Sequence, residues 1–205
     1  MDNKIEAFKQ HVIEASSSTA FVHHQWFVKW HLEIVERIAE ELLVKYPDAN
    51  KDLVRLMVWL HDYGKILDYE NQYATTLEAA PKKLRELGFS EETINRAVHN
   101  IETLDKKLEV DLNEASIEVK IVSSADGLSH LIGPFMALWW YENADKSFED
   151  LMEDNLKKAA KDWNYKIVLP EARQAAAERN RFLREQCGEL PVTFLDVDKG
   201  DSNGK

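Results

Sequence analysis

The residues with most chemical content in this chain are His61 and Asp62, which close the apolar run Leu53-Val54-Arg55-Leu56-Met57-Val58-Trp59-Leu60 and lead into Tyr63-Gly64-Lys65. A segment apolar at nearly every position is buried on most sides. A carboxylate at its end then needs a counter-charge, because an uncompensated buried charge either costs several kcal/mol or is given up by protonation. A divalent cation supplies that charge. Adjacent side chains on an ideal helix point about 100° apart. That is awkward for two ligands of one ion in mid-helix, but workable where the last turn opens into a bend at Gly64. The competing reading is a helix C-terminus that simply carries a favourable histidine cation.

Two more residues strengthen the metal reading. His31 sits in the amphipathic run Trp30-His31-Leu32-Glu33-Ile34-Val35, and Asp126 in Ile121-Val122-Ser123-Ser124-Ala125-Asp126-Gly127-Leu128. Neutral imidazoles and carboxylates together suit a cation that keeps one position open for water or a substrate oxygen. The order His, His-Asp with Gly-Lys following, then Ala-Asp ending an apolar stretch resembles the HD-domain superfamily of metal-dependent phosphohydrolases, over roughly residues 20–130. The resemblance implies that His31, His61, Asp62 and Asp126 hold one divalent ion (Mn, Fe, Co, Ni, Zn or Mg), mixed nitrogen and oxygen ligands suiting these better than Ca. It also implies hydrolysis of a phosphate ester as the natural reaction.

Members with two metals recruit further histidines between the His-Asp pair and the last Asp. This chain offers only His99 there, and Thr76 stands at the best-matching earlier position, with Glu78 as a substitute ligand. That departure favours a mononuclear site and disfavours the dinuclear oxygenase and cyclic-dinucleotide-cleaving branches. Lys65 is the expected phosphate-binding cation at the rim. Asp68 and Glu70 are candidates for the proton donor, or for orienting water beside Asp62. His99 and Arg96 are candidate substrate contacts. His130, four residues after Asp126, is read as packing or supporting the ligands. His23 and His24 are read as more exposed than not, and Trp139-Trp140-Tyr141 as helix packing.

The composition bounds what such a site can serve. With 26 basic and 37 acidic side chains and a net charge of -11, the 205-residue chain repels polyanions and anionic membrane faces. Polymeric nucleic acid is therefore disfavoured, while a small phosphorylated substrate is not, since one cation and a few lysines reverse the field locally. A single cysteine, Cys187, allows no intrachain disulfide. No apolar stretch approaches membrane-spanning length and no signal sequence is evident, so a cytoplasmic protein is expected.

The elements that must position these residues are helical, because 7 Gly and 5 Pro leave little turn punctuation. Helices are expected near 3–16, 21–46 (with a stripe of Phe27, Trp30, Ile34, Ile38 and Leu42), 51–61, 75–87, 91–104 behind a Ser90 cap, and 114–131. Beyond Gly133-Pro134 the pattern predicts 135–141, 147–163 and a last helix opened by Pro170, with residues 63–73 as a loop. The expected architecture is all-α, eight or nine helices in one HD-type domain over 1–195: a motif-bearing core at 20–130, C-terminal helices at 131–190, and a disordered tail at 196–205. Two rival functions stay open: a non-catalytic helical binding or regulatory protein with a structural metal, and an HD-type metal-dependent lyase or oxygenase.

Overall fold

The computed structural model describes residues 1–188, so the tail expected at 196–205 lies outside them. In chain order the helices are α1 (Asp2–Ser16), α2 (Glu33–Lys45), α3 (Lys51–Leu60), α4 (Tyr63–Leu67), α5 (Gln72–Glu86), α6 (Glu91–Asp105), α7 (Ile117–Ile132), α8 (Phe135–Glu142), α9 (Phe148–Lys161) and α10 (Pro170–Cys187). Nine of them have eight or more residues and no strand occurs among the described residues, as the all-α reading expects. The five-residue α4 is new: Tyr63 to Leu67, expected as loop, turns once more after the His-Asp pair.

The boundaries follow local chemistry. Asn50 accepts from the Leu53 amide (3.0 Å), Ser90 from Thr93 (3.2 Å), Ser116 from Val119 (3.4 Å) and Ser147 from Asp150 (3.1 Å), so each side chain satisfies an orphan donor of a first turn. Helix α5 stops at Gly88, whose φ of +76° closes a double-bonded cap: the Gly88 amide reaches Arg85 O (2.8 Å) and the Phe89 amide reaches Leu84 O (3.0 Å). The helix expected to start at residue 21 starts later. Residues 17–26 form turns, and a π-helical turn at Val28–Leu32 precedes α2. In that wider turn Trp30, expected inside, is 39% exposed, while His31 is 2% exposed.

Two helices form the middle of one contiguous apolar core that runs from Ile5 to Ala176. In α3, Leu53, Val54 and every residue from Leu56 to Leu60 are buried, each large side chain stabilising by roughly 1.5–3 kcal/mol. Helix α7 is buried from Val119 to Val122 apart from Lys120, and at every position from Ile121 to His130, rather than along one stripe. Its small residues explain why. At Gly127 a Cβ would collide with Ile167 and Lys166. Ser123 donates to Lys166 O (3.0 Å), and Ser124 accepts from the Val168 and Leu169 amides (3.1 and 3.0 Å). The chain leaving α9, through a second π-helical turn at Asp162–Lys166, is thereby laid directly on α7 beside Asp126.

Candidate metal centre

Four side chains from three places in the chain converge. His31 comes from the π-helical turn before α2, His61 and Asp62 from the step between α3 and α4, and Asp126 from the middle of α7. His31 Nε2 lies 3.3 Å from Asp62 Oδ2 and 3.8 Å from Asp126 Oδ1. His61 Nε2 lies 3.7 and 3.9 Å from the same two oxygens.

The ring orientations are fixed from behind. His61 Nδ1 donates to Val58 O at 2.7 Å, which leaves Nε2 as a bare lone pair, buried and without any hydrogen-bond partner. His31 Nδ1 meets Ser129 Oγ at 3.2 Å. That hydroxyl donates to Asp126 O at 2.7 Å and so accepts from His31, again directing a lone pair at the carboxylates. Burial holds His31 below its ordinary pKa, in the neutral form a metal requires.

Burial alone would push the two carboxyl groups up, but neighbouring lysines and imidazoles outweigh it. Lys65, then His61 and His31, hold Asp62 well below the carboxylate range, and Lys166, His130 and His61 do the same for Asp126. Lys65 sits 2.6 Å from Asp62, and Lys166 is hydrogen-bonded to Asp126. Bare imidazole nitrogens facing ionised carboxylates are a donor set that fits a divalent ion. His31, His61 and Asp62 could hold one, and so could His31, Asp126 and His130.

Residues 30–131 match the HD domain family, a span that contains all four residues. The chain belongs to the HD-domain superfamily of metal-dependent phosphohydrolases. Among curated relatives, the 3'-5' exoribonuclease YhaM of Shouchella clausii (strain KSM-K16) is 26% identical over 125 residues, 60% of this chain and 37% of that protein. The chain thus spans little more than a third of that relative's length. No solved structure gives a significant match.

The HD residues open into a cavity of about 450 Å³. Its wall includes residues that the sequence reading missed or placed elsewhere. His23, expected at the surface, is 7% exposed: its Nδ1 lies 2.7 Å from Glu142, and the same carboxylate accepts from Trp26 Nε1 at 2.6 Å, clipping the turns before α2 to α8. Trp139, Tyr69 and Tyr73 also line the cavity, and from beyond the HD match come Lys157, Lys158, Lys161 and Lys166.

Behind them is a buried charge cluster. Asp162, 0% exposed, meets His130 Nδ1 (2.9 Å) and Lys158 (2.8 Å). Burial and Lys158 push His130 down to about 3, so its ring is neutral and donates to Asp162. His130 Nε2, then a lone pair, faces Asp126 Oδ1 at 3.4 Å, on the same side as a cation would be held.

Other candidates fall away from the cavity. Asp68 accepts from the Asn71 amide (3.2 Å) and side chain (2.9 Å) at the turn into α5, and Glu70 is exposed; neither lines the wall. Arg96 and His99 are exposed on α6, Arg96 beside Met1 and Asn50 in a separate shallow depression. They lie three apart on one face, but that face is outward. Thr76 is buried and structural: its hydroxyl donates to Gln72 O (2.8 Å) and accepts from the Gly64 amide (2.9 Å). Glu78 pairs with Lys82 at the surface (2.9 Å). Lys65 lines the cavity, as expected. Among the described residues no helix is long and apolar enough to cross a membrane.

Proposed function

We propose that the protein hydrolyses a small phosphate ester, nucleotides included, with one divalent ion held by His31, His61, Asp62 and Asp126. The observation that carries this is His61 Nε2: a buried lone pair with no hydrogen-bond partner, within 3.9 Å of two carboxylates, at the inner end of a cavity. Buried polar atoms are as a rule paired, and a bare imidazole nitrogen facing two ionised carboxylates on a cavity wall is the arrangement a cation completes. A divalent ion at this place makes water a nucleophile near neutral pH and polarises a phosphoryl oxygen.

The remaining work belongs to side chains. Lys65, 2.6 Å from Asp62, is placed to meet a phosphate oxygen entering beside that carboxylate. Ser129 and Val58 O hold the two imidazoles in the correct tautomer. Trp139, Tyr69 and Tyr73 give the ester's organic part apolar and aromatic surface. Asp68 and Glu70 are not proposed as proton donors, since neither faces the cavity.

The test is metal content per chain in wild type and in Asp62→Ala, with a phosphate-release screen over mononucleotides, nucleoside polyphosphates and simple esters in Mn, Co and Mg. About one ion per wild-type chain, lost together with turnover in a still-folded variant, is expected. Wild type that holds no metal and turns over nothing would overturn the reading in favour of a helical binding protein. The exoribonuclease relative gives one specific second reading, removal of nucleotides from an RNA 3' end. A 5'-labelled oligoribonucleotide in the same screen decides it, and the net charge of -11 argues against it.

A further inference from the structure

The cavity wall carries more cations than the metal-facing carboxylates use. Six lysines line it against four aspartates, Asp62, Asp105, Asp126 and Asp154, in a chain whose overall charge is -11. Four of the six are committed: Lys65 to Asp62 (2.6 Å), Lys157 to Glu153 (2.6 Å), Lys158 to Asp162 (2.8 Å) and Lys166 to Asp126. Lys107 and Lys161 are not. Among the described residues neither amine has a carboxylate within ion-pair distance, and Lys107, only 7% exposed, has one hydrogen bond, 3.5 Å to Leu104 O, and lies over the Tyr73 ring at 5.4 Å from its centroid.

Asp126 and Asp105 attract the Lys107 amine only from beyond ion-pair distance, and a buried cation without a contacting counter-charge is destabilising unless a ligand supplies one. Burial, then Lys166, lowers the Lys107 amine to about 8, with Lys161 adding to the same repulsion, so these three amines form one positive field. Asp105 Oδ2, buried on the same wall without a hydrogen-bond partner, has a carboxyl that burial pushes up to about 7. In its protonated form it donates to an anion rather than repelling it.

We propose that Lys107 and Lys161 build a second anion subsite beside the metal centre, and that the substrate is a small molecule with two or more linked phosphate groups. The phosphoryl group to be cleaved lies at the Asp62 and Lys65 end, and the next phosphate in the chain lies on Lys107 and Lys161. This rests on the phosphohydrolase reading of the same cavity and adds the substrate class. The subsite is supplied by the end of α6 and by α9; α9 lies outside the matched HD span.

The test is calorimetric binding of inorganic orthophosphate, pyrophosphate and tripolyphosphate to the metal-containing protein, as wild type, Lys107→Met, Lys161→Met and the surface control Lys82→Met. Wild type should bind pyrophosphate at least about tenfold more tightly than orthophosphate, the effect of one added set of charged hydrogen bonds. Either lysine variant should bring that ratio close to one, and Lys82→Met should not. Lys107→Met should also raise the melting temperature, a rise that a lysine kept for stability would not give. A ratio near one in wild type, or a ratio unchanged in both variants, overturns the subsite even if monoesters are hydrolysed. Lysine-dependent pyrophosphate binding without turnover of any ester would sink the hydrolase reading and leave the subsite standing. Displacement of pyrophosphate by a short RNA strand more effectively than by tripolyphosphate would overturn the small-molecule assignment.

Discussion

His31 and His130 lie face to face, ring centroids 5.1 Å apart and planes within 6° of parallel. One ring belongs to the turn entering the centre and the other to α7, and the Nε2 of each faces Asp126 Oδ1, at 3.8 and 3.4 Å. Both rings lie within the matched HD span, and His130 links it to the C-terminal charge cluster through its contact with Asp162.

His130→Ala should therefore destabilise the fold by about 2–4 kcal/mol, through the cavity it opens and the polar partner Asp162 loses. Urea denaturation monitored by circular dichroism measures it. A loss below about 0.5 kcal/mol would mean that Lys158 and Lys166 alone satisfy Asp162.

Ser129→Ala removes the hydroxyl that fixes the His31 tautomer while leaving all four HD side chains in place. Metal affinity should fall about tenfold or more with little change in stability, the usual effect of deleting a group that orients a ligand. Competition with a metallochromic chelator reads it, and unchanged affinity would show that packing alone orients the ring.

Asp105→Asn carries a pH signature. Burial raises the folded carboxyl to about 7 from an ordinary 3.8, against the opposing pull of Lys107, Lys166 and Lys65 and with the help of Asp62. Below the unfolded value both states are protonated. As pH rises toward 7 only the unfolded chain ionises, so wild type loses stability across that window and the amide does not. The variant should match wild type near pH 4 and exceed it by on the order of 2 kcal/mol at pH 8. Chemical denaturation at the two pH values checks this; an equal gain at both would place the effect outside the carboxyl's titration.

Gly64→Ala should be severe. A Cβ at residue 64 would overlap Gln72 O and Thr76 Oγ1, where α4 and α5 touch. Those are a backbone oxygen and a hydroxyl already bonded to the Gly64 amide, so the helices must separate. Loss of several kcal/mol, or insoluble expression, is expected; a melting point within about 2 °C of wild type would contradict the close approach.

The helical architecture and its caps at Ser90 and Ser147 were legible because propensity, periodicity and capping are local. His31, His61, Asp62 and Asp126 could be picked out because each is polar within an apolar neighbourhood, and the geometry brings them together. The lysine wall was not legible. Lys107 lies at the start of a charged connection just past the end of α6, Lys161 ends an ordinary amphipathic helix, and only the small residues of α7 decide that the segment after α9 lies against Asp126. Asp68 and Glu70 misled for the opposite reason: nearness in sequence to His61 and Asp62 suggested a place in the cavity, but the turn there presents Tyr69 to it while Asp68 caps Asn71 and Glu70 points to solvent. The turn at residues 28–32 was equally hidden, since the spacing of Phe27, Trp30 and Ile34 reads as ordinary α-helix.

That π-helical turn behaves as a one-residue insertion within an α-helical frame. Deleting the exposed Lys29 would restore the frame and turn Phe27 and the adjoining turn by about 100° relative to α2, lifting His23 and Trp26 off Glu142 while His31 stays in phase with α2. The mouth of the cavity and its metal-facing floor are thus set by separate stretches of chain. Length variation upstream of His31 can retune what enters while the floor is inherited unchanged.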